Sequence, residues 1–497
     1  MKTLLQNYKS LLENWLPAAK KYFYSPAGRP DLMCYGTGES FHWAVQTNSN
    51  VFAALATLSM SPGLDETRIG MSREALQETS LKLLRYTLHT HKCAEMTCSN
   101  GKQWGLSWIS GLSLERMRHG LDAIRFLLTK EDQQTLQNIM VAESNNLLDN
   151  YPVQAGMGFY ENRPESNIWN GAILLRTGVG YPDTPRREEY LEKAARFFVN
   201  GISIPSDAES EQSFHGRTVK EMFMGANFTG NYSLNHNGYQ NMGYAALALS
   251  NVGFLHFSFR KQGIALPPEV YFHVKELWNV LKHFFFPDGR LVRIGGDDRV
   301  RYCYCQDYAL PAWLFAWDFF GDPMALQFEH GWQEIVAREA NLNPDGAFLS
   351  GRLQEMSRTS PFYYTRLEGD RAVSMSYGAC WRYAGLLRTP DSVVKPVQEK
   401  EFSWADETHG ACLHRNKQRV ASLTWDACAR PVCLFLPPNR SDMGEWQNNL
   451  SGELITSSIS ESVMQPHNHQ VFPGGFVSSG SVTWTEKTPF GEGELED

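Results

Sequence analysis

Apolar residues recur at helical spacing through roughly the first 355 residues of the chain. Stretches 50–60, 72–91, 112–128, 130–148, 168–176, 187–200, 243–262, 267–285, 308–320 and 325–340 each carry that spacing, and each predicts a helix. Leu76, Leu81, Leu83, Leu84 and Leu88 trace it within one of them. Loops rich in Gly, Pro and Asn separate the stretches, and no strand pattern alternates with them. That absence argues against a parallel α/β sheet. Helices paired around a ring, an α/α toroid or incomplete barrel, are the expected packing.

The pattern changes near Pro361. Stretches 362–367, 372–376, 419–425 and 432–436 read as strands, with polar turns at Glu368-Gly369-Asp370 and Asn439-Arg440-Ser441-Asp442. Stretches 474–476 and 479–484 extend the series. The expectation is an α+β multidomain chain. Residues 1–360 form an N-terminal α/α toroid with the catalytic site, and residues 361–497 form a C-terminal antiparallel β-sheet or β-sandwich, short or truncated.

Composition narrows the function. At 497 residues two or three domains are expected. Aromatics make up 12%, with 14 Trp, 20 Tyr and 28 Phe, enough either for a large aromatic core or for rings that line a carbohydrate cleft. The net charge of −8 argues against general nucleic-acid or membrane-surface binding, so neither partner is expected. The N-terminus starts like a signal peptide, but Asn7, Lys9, Glu13 and Asn14 interrupt the apolar region it would need. No run reaches the length of a membrane span. Nine scattered cysteines fit reduced thiols, and a cytoplasmic location is expected.

Four polar loops abut apolar helices, at 35–48, 158–171, 224–241 and 286–299. At one end of a helical ring they would frame a cleft. The third loop holds five asparagines, one histidine, two tyrosines and three glycines in eighteen residues. Its His236 and Tyr239 suit proton transfer, and Asn235 and Asn237 suit clamping a carboxylate. Tyr232 offers a second proton source. The structural alternative is a helix-start loop held by asparagine side chains.

In the other loops each reading has a structural counterpart. Glu39 and His42 suit catalysis or substrate binding, or cap the helix that follows. Trp169, flanked by Asn167 and Asn170, suits stacking on a sugar, or is a buried ring. Glu161 and Glu165 are the best pair for a general acid and base. Arg290, Arg293, Arg299 and Arg301 suit a carboxylate or sulfate, unless Asp297 and Asp298 consume their charge. No metal is expected: His89, His91, Cys93 and Cys98, or Cys303 and Cys305, lack the full ligand spacing. No cofactor is expected either.

Helices followed by a β region, with an Asn-His…Tyr loop, resemble the heparinase II/III-like and alginate-lyase-like polysaccharide lyases. Glu165-Ser166-Asn167-Ile168-Trp169-Asn170 resembles a helix of that superfamily, and Phe286-Pro287-Asp288-Gly289-Arg290 resembles one of its loops. The resemblance implies that Asn235 and His236 neutralise a uronate carboxylate while Tyr239 serves as base or acid. It also implies a histidine from the β region, with His409 and His467 as candidates. The expected function is cleavage of a uronic-acid-containing glycan by β-elimination. A glucuronidase-like hydrolase, using carboxylates among Glu39, Glu161, Glu165 and Asp298, is the first alternative. A non-catalytic glycan-binding protein is the second.

Overall fold

The computed structural model describes residues 2–157, 162–236, 239–292, 294, 304–389, 401–408, 410–424, 432–443, 459–464, 468–488 and 491–496. Among them the chain is mixed helix and sheet. The helices are α1 (Lys2–Ala19), α2 (His42–Ser59), α3 (Glu66–Ile69), α4 (Arg73–His89), α5 (Ser110–Arg116), α6 (Arg118–Ile124), α7 (Lys130–Asn150), α8 (Pro164–Gly180) and α9 (Arg187–Val199). There follow α10 (Val219–Met222), α11 (Met242–Gln262), α12 (Val274–Leu281), α13 (Tyr304–Asp307), α14 (Ala309–Phe320), α15 (Pro323–Leu342), α16 (Gln354–Thr359) and α17 (Pro361–Tyr383).

Local chemistry sets the helix ends. The Ser72 hydroxyl accepts from Ala75 N at 3.2 Å and opens α4. Thr129 and Asp132 form a reciprocal capping box that opens α7. Proline occupies the first turn of α8, α15 and α17, where its missing N–H costs nothing. Gly263 and Gly321, both left-handed, close α11 and α14.

Contacts between helices run in a circuit: α2 on α5, α5 on α8, α8 on α11, α11 on α14, α14 on α17, and α17 back on α2. A second set lies against it. α4 packs on α2, α7 and α9 on α8, α15 on α14, and α1 on both α15 and α17. The circuit helices are buried nearly all round, as Ala44–Ser59 of α2 and Tyr364–Trp381 of α17 show. A helix in that position has no wet face, so it carries no polar stripe.

Several expectations need correction. Residues 362–367 and 372–376 are not strands; they belong to the continuous helix α17. Tyr, Phe, Thr and Val in this segment suit strands by propensity, but burial on every side overrides propensity. The polar turn read at Glu368-Gly369-Asp370 is mid-helix. The N-terminal segment, read only as a failed leader, is helix α1, with Tyr8, Leu12, Trp15 and Leu16 in the core. The 112–128 helix is split at Met117 into α5 and α6, and 267–285 is split into α12 and flanking single 3-10 turns.

Three pairs of two-residue strands lie among the helices: β1 (Phe23–Tyr24) with β2 (Cys34–Tyr35), β3 (Ser213–Phe214) with β4 (Arg217–Thr218), and β5 (Asn235–His236) with β6 (Tyr239–Gln240). Small antiparallel sheets follow. Strands β7 (Phe402–Asp406), β8 (Ala411–Arg415), β9 (Val420–Thr424) and β10 (Val432–Leu436) form a meander in the order β10-β9-β8-β7. Farther on are β11 (Ile459–Met464), β12 (Asn468–Phe472), β13 (Gly475–Ser479), β14 (Val482–Thr488) and β15 (Gly491–Glu496), paired as β11-β14-β15 and β12-β13. The meander is seated on the helical part. Trp404 meets Phe284 edge-on at 5.1 Å, His283 stacks on Phe402 at 3.8 Å, and Arg415 donates to the Phe285 carbonyl at 2.7 Å. Trp404 also donates to the Asn231 carbonyl at 3.1 Å, and Asn231 donates to the Ala405 carbonyl. The third polar loop is thereby tied to the sheet.

Candidate functional site

The first turns of several circuit helices converge on a cluster of rings. Just before α2, Phe41 meets Phe362 of α17 at 5.8 Å between centroids. His42 meets Trp108, just before α5, edge-on at 6.2 Å. Trp108 lies 6.2 Å from Trp169 of α8, whose indole donates to the Trp108 carbonyl at 3.4 Å. The Arg163 guanidinium sits 5.3 Å above Trp108. Across from these, Arg366 of α17 lies among three rings, 4.2 Å from Trp43, 4.6 Å from Tyr304 and 5.2 Å from Tyr363. Its Nε is 3.6 Å from Asp370. Cation–π contacts of this kind contribute about 0.5–2 kcal/mol each.

The third loop joins the cluster through a short hairpin. Strand β5 (Asn235–His236) pairs with β6 (Tyr239–Gln240), and the register sets position 236 opposite 239. The His236 ring is buried and stacks on Tyr244 with centroids 3.5 Å apart. The Tyr244 hydroxyl is 2.5 Å from the Tyr304 hydroxyl. A continuous path of contacts therefore leads from His236 through Tyr244 and Tyr304 to Arg366 and Trp43. The side chains of Asn235 and Tyr239 lie outside the described atoms, as do Asn237, Glu161, Arg293, Asp297, Asp298, Arg299, Arg301, Cys303, His409 and His467.

The loop's remaining residues have definite partners. The Tyr232 hydroxyl is 3.0 Å from His273 Nδ1, and His273 Nε2 is 2.9 Å from Asp207. Burial, with Glu276 and Asp207 nearby, pushes the Tyr232 hydroxyl above its ordinary pKa. Tyr232 and His273 both hold left-handed backbone, at φ 59° and 56°. Such conformations cost about 1–3 kcal/mol each and persist only where the surroundings impose them.

Asn167, expected to bind substrate, is instead committed to the backbone. It accepts from Gln154 N at 3.0 Å and donates to the Gln154 and Asn200 carbonyls at 2.7 and 2.8 Å, fully buried. The carbonyls it satisfies would otherwise be orphaned. Trp169 is buried beneath Trp108 and so presents no open face. Glu165 is buried too. Burial pushes its carboxyl up to about 7, against smaller opposing contributions from its own backbone hydrogen bond and from Arg163. Its Oε2 has no hydrogen-bond partner among the described residues.

His42 is half-buried, and burial lowers its pKa, favouring the neutral ring. The Glu39 carboxylate accepts from the Thr37 hydroxyl at 3.1 Å. Arg290 lies in the turn after Phe286, where Gly289, at φ 83°, could not carry a Cβ without meeting the Phe328 carbonyl at 2.7 Å.

No protein-family model matches the chain, and no curated protein matches it. The chemistry therefore rests on the geometry. Rings of His42, Trp43, Trp108, Tyr244 and Tyr363, each half-buried, offer stacking faces. Helix N-termini carry partial positive charge, and α2, α5, α8, α11 and α17 all bring theirs here together with Arg163 and Arg366. Such a surface suits a ligand with apolar faces, hydroxyls and an anionic group. No group of three or more His, Cys, Asp or Glu among the described residues is arranged to hold a metal ion. His91, one candidate ligand, is buried and bonded to Glu143 at 2.9 Å. Cys34, Cys93, Cys98 and Cys380 are free thiols. No helix among the described residues is long and apolar enough to cross a membrane.

Sequence reading missed Trp108, Tyr244, Tyr304, Tyr363 and Arg366 as site residues. The available signal was an aromatic residue at or just before the first turn of each helix. For the hairpin it was Asn237-Gly238, the dipeptide that two-residue hairpin turns favour.

Proposed function

We propose that this chain is a carbohydrate-active enzyme that degrades uronic-acid-containing glycans by β-elimination. In this reading the helical circuit is an α/α toroid, the C-terminal strands form a sandwich-like domain, and the site lies at one mouth of the ring. The observation that carries the proposal is the meeting of His236, Tyr244 and Tyr304 with stacking rings where helix N-termini gather.

The reaction needs three things. The uronate carboxylate must be neutralised so that charge can build on the adjacent carbon; Asn235, His236 and the positive helix ends serve there. A base removes the proton on that carbon, the C–O bond at the neighbouring carbon breaks, and a carbon–carbon double bond forms. The leaving oxygen takes a proton. Tyr239, paired in register with His236, is the assigned proton-transfer residue, and Tyr232, backed by His273 and Asp207, is a second source.

Glu165 favours a second reading, glycoside hydrolysis. A carboxyl that stays protonated to about pH 7 is what a general acid requires. One assay separates the two. Incubated with uronate oligosaccharides, a lyase produces the ultraviolet absorbance of an unsaturated uronate. New reducing ends without that absorbance would favour hydrolysis, and binding with neither product would leave a glycan-binding protein.

A further inference from the structure

A cavity of about 490 Å³ opens at the far ends of the same helices. It is walled by the start of α7, the ends of α8 and α11, and α6. Arg118, Arg125, Lys130 and Arg176 line it, and among the described residues no Asp or Glu does. Gln133 and Gln137 add hydrogen-bonding groups, while Leu136, Met140 and Phe259 supply an apolar wall. On α8 the cavity residue Arg176 is seven positions beyond Trp169, about 10 Å along the helix axis; on α11 Phe259 is fifteen beyond Tyr244, about 23 Å. The cavity is therefore separate from the ring cluster.

Its charge is not balanced from behind. Arg176 is held by Glu115 at 2.5 and 3.0 Å and donates to Ser258 at 2.9 Å. Arg118 and Arg125 share one carboxylate, Asp122, at 3.3 and 3.7 Å. Lys130 has no ion pair among the described residues. Four cations against two carboxylates leave two positive charges. The C-termini of α8 and α11 offset about half a charge each, and the N-terminus of α7 returns about half. A surplus of more than one positive charge remains in a concave, partly apolar site. The Arg118 side chain is only 16% exposed, with its Nε toward the shared Asp122 carboxylate.

We propose that this cavity is a second ligand site, taking a sugar-sized molecule that carries an oxyanion. The guanidinium forks hold the oxyanion, the glutamines meet hydroxyls, and the apolar wall takes the flat face. This inference does not depend on the reaction assigned to the ring cluster.

Calorimetric titration of the full chain with glucose 6-phosphate, glucuronate, inorganic phosphate and sulfate, at constant ionic strength, tests it. Saturable binding of at least one is expected, weakened tenfold or more in a double variant, Arg125→Gln with Lys130→Gln. Both side chains are exposed, so the variant should fold. Arg118→Gln should weaken the same ligand further. Preference for phosphate and sulfate identifies a tetrahedral oxyanion, and preference for glucuronate a carboxylate. No saturable binding, or equal affinity in the double variant, overturns the proposal.

Discussion

A carboxyl buried without a full set of partners makes stability depend on pH in a definite direction. Glu165 has its pKa raised from 4.5 to about 7 by burial. Below 4.5 it is protonated whether the chain is folded or not. As pH rises from 4.5 to about 7, the unfolded chain ionises while the folded chain keeps its proton, so the native state loses stability, by about 3 kcal/mol at most. Glu165→Gln removes that loss. Urea unfolding at pH 4 and pH 8 should show the variant more stable than the parent at pH 8 by about 2–3 kcal/mol relative to the difference at pH 4. An equal difference at both would contradict the burial argument. The hydroxyl pair of Tyr244 and Tyr304 has a separate test. Tyr304→Phe should cost about 1 kcal/mol of stability but lower kcat on uronate oligosaccharides roughly tenfold or more, with KM little changed. Loss of KM alone would make the pair a binding contact. The chemistry of the third loop was only half legible in its composition. Asn227 donates to the Gln154 and Asn200 carbonyls at 3.0 and 2.6 Å, and Asn241 caps α11 through Tyr244 N at 3.2 Å. An asparagine that ties down a loop and one that clamps a substrate look alike in sequence, because both use the same amide. Tyr304 and Arg366 meet only through the fold, as do His42 and Trp108, so no spacing along the chain could have joined them.

Most helices were legible because their apolar spacing survives partial exposure. α17 was not, because buried charged residues, Glu368, Asp370 and Arg371, interrupt its apolar spacing. Beside them its glycines resemble turn signals. Those glycines serve close approach instead. A Cβ on Gly378 would stand 2.3 Å from the Tyr8 ring, and Tyr8 is fixed by its 2.8 Å bond to Glu329, itself paired with Arg382. The ring cannot yield, so Gly378→Ala should destabilise the fold by about 1–3 kcal/mol despite its better helix propensity. Thermal unfolding would check this; an unchanged or raised Tm would mean that α1 can shift away. The strands expected at 419–425 and 432–436 are present as β9 and β10, paired antiparallel from Val420 with Leu436 to Thr424 with Val432.

Across the molecule, the helical circuit is cross-tied at its centre. Asp370 of α17 accepts from Asn50 of α2 at 3.0 Å and from Tyr308, at the head of α14, at 2.8 Å. Arg116 of α5 is 3.5 Å from it and lies 3.6 Å over the Tyr308 ring. Asp370→Ala would leave buried guanidinium groups short of their counter-charge, and about 3–5 kcal/mol of stability should be lost in denaturant titration. A loss under 1 kcal/mol would show that the surrounding rings suffice. The sheet is joined to the helices at a different point, Asn231, bonded to Ala405 and Trp404 only four residues before Asn235. Binding and docking are then linked equilibria. Any ligand that immobilises the hairpin adds up to RT ln(1 + [L]/Kd) to the persistence of the sheet's seat. The Trp404 indole proton becomes a remote reporter of occupancy, its exchange with solvent slowing as the ring cluster fills.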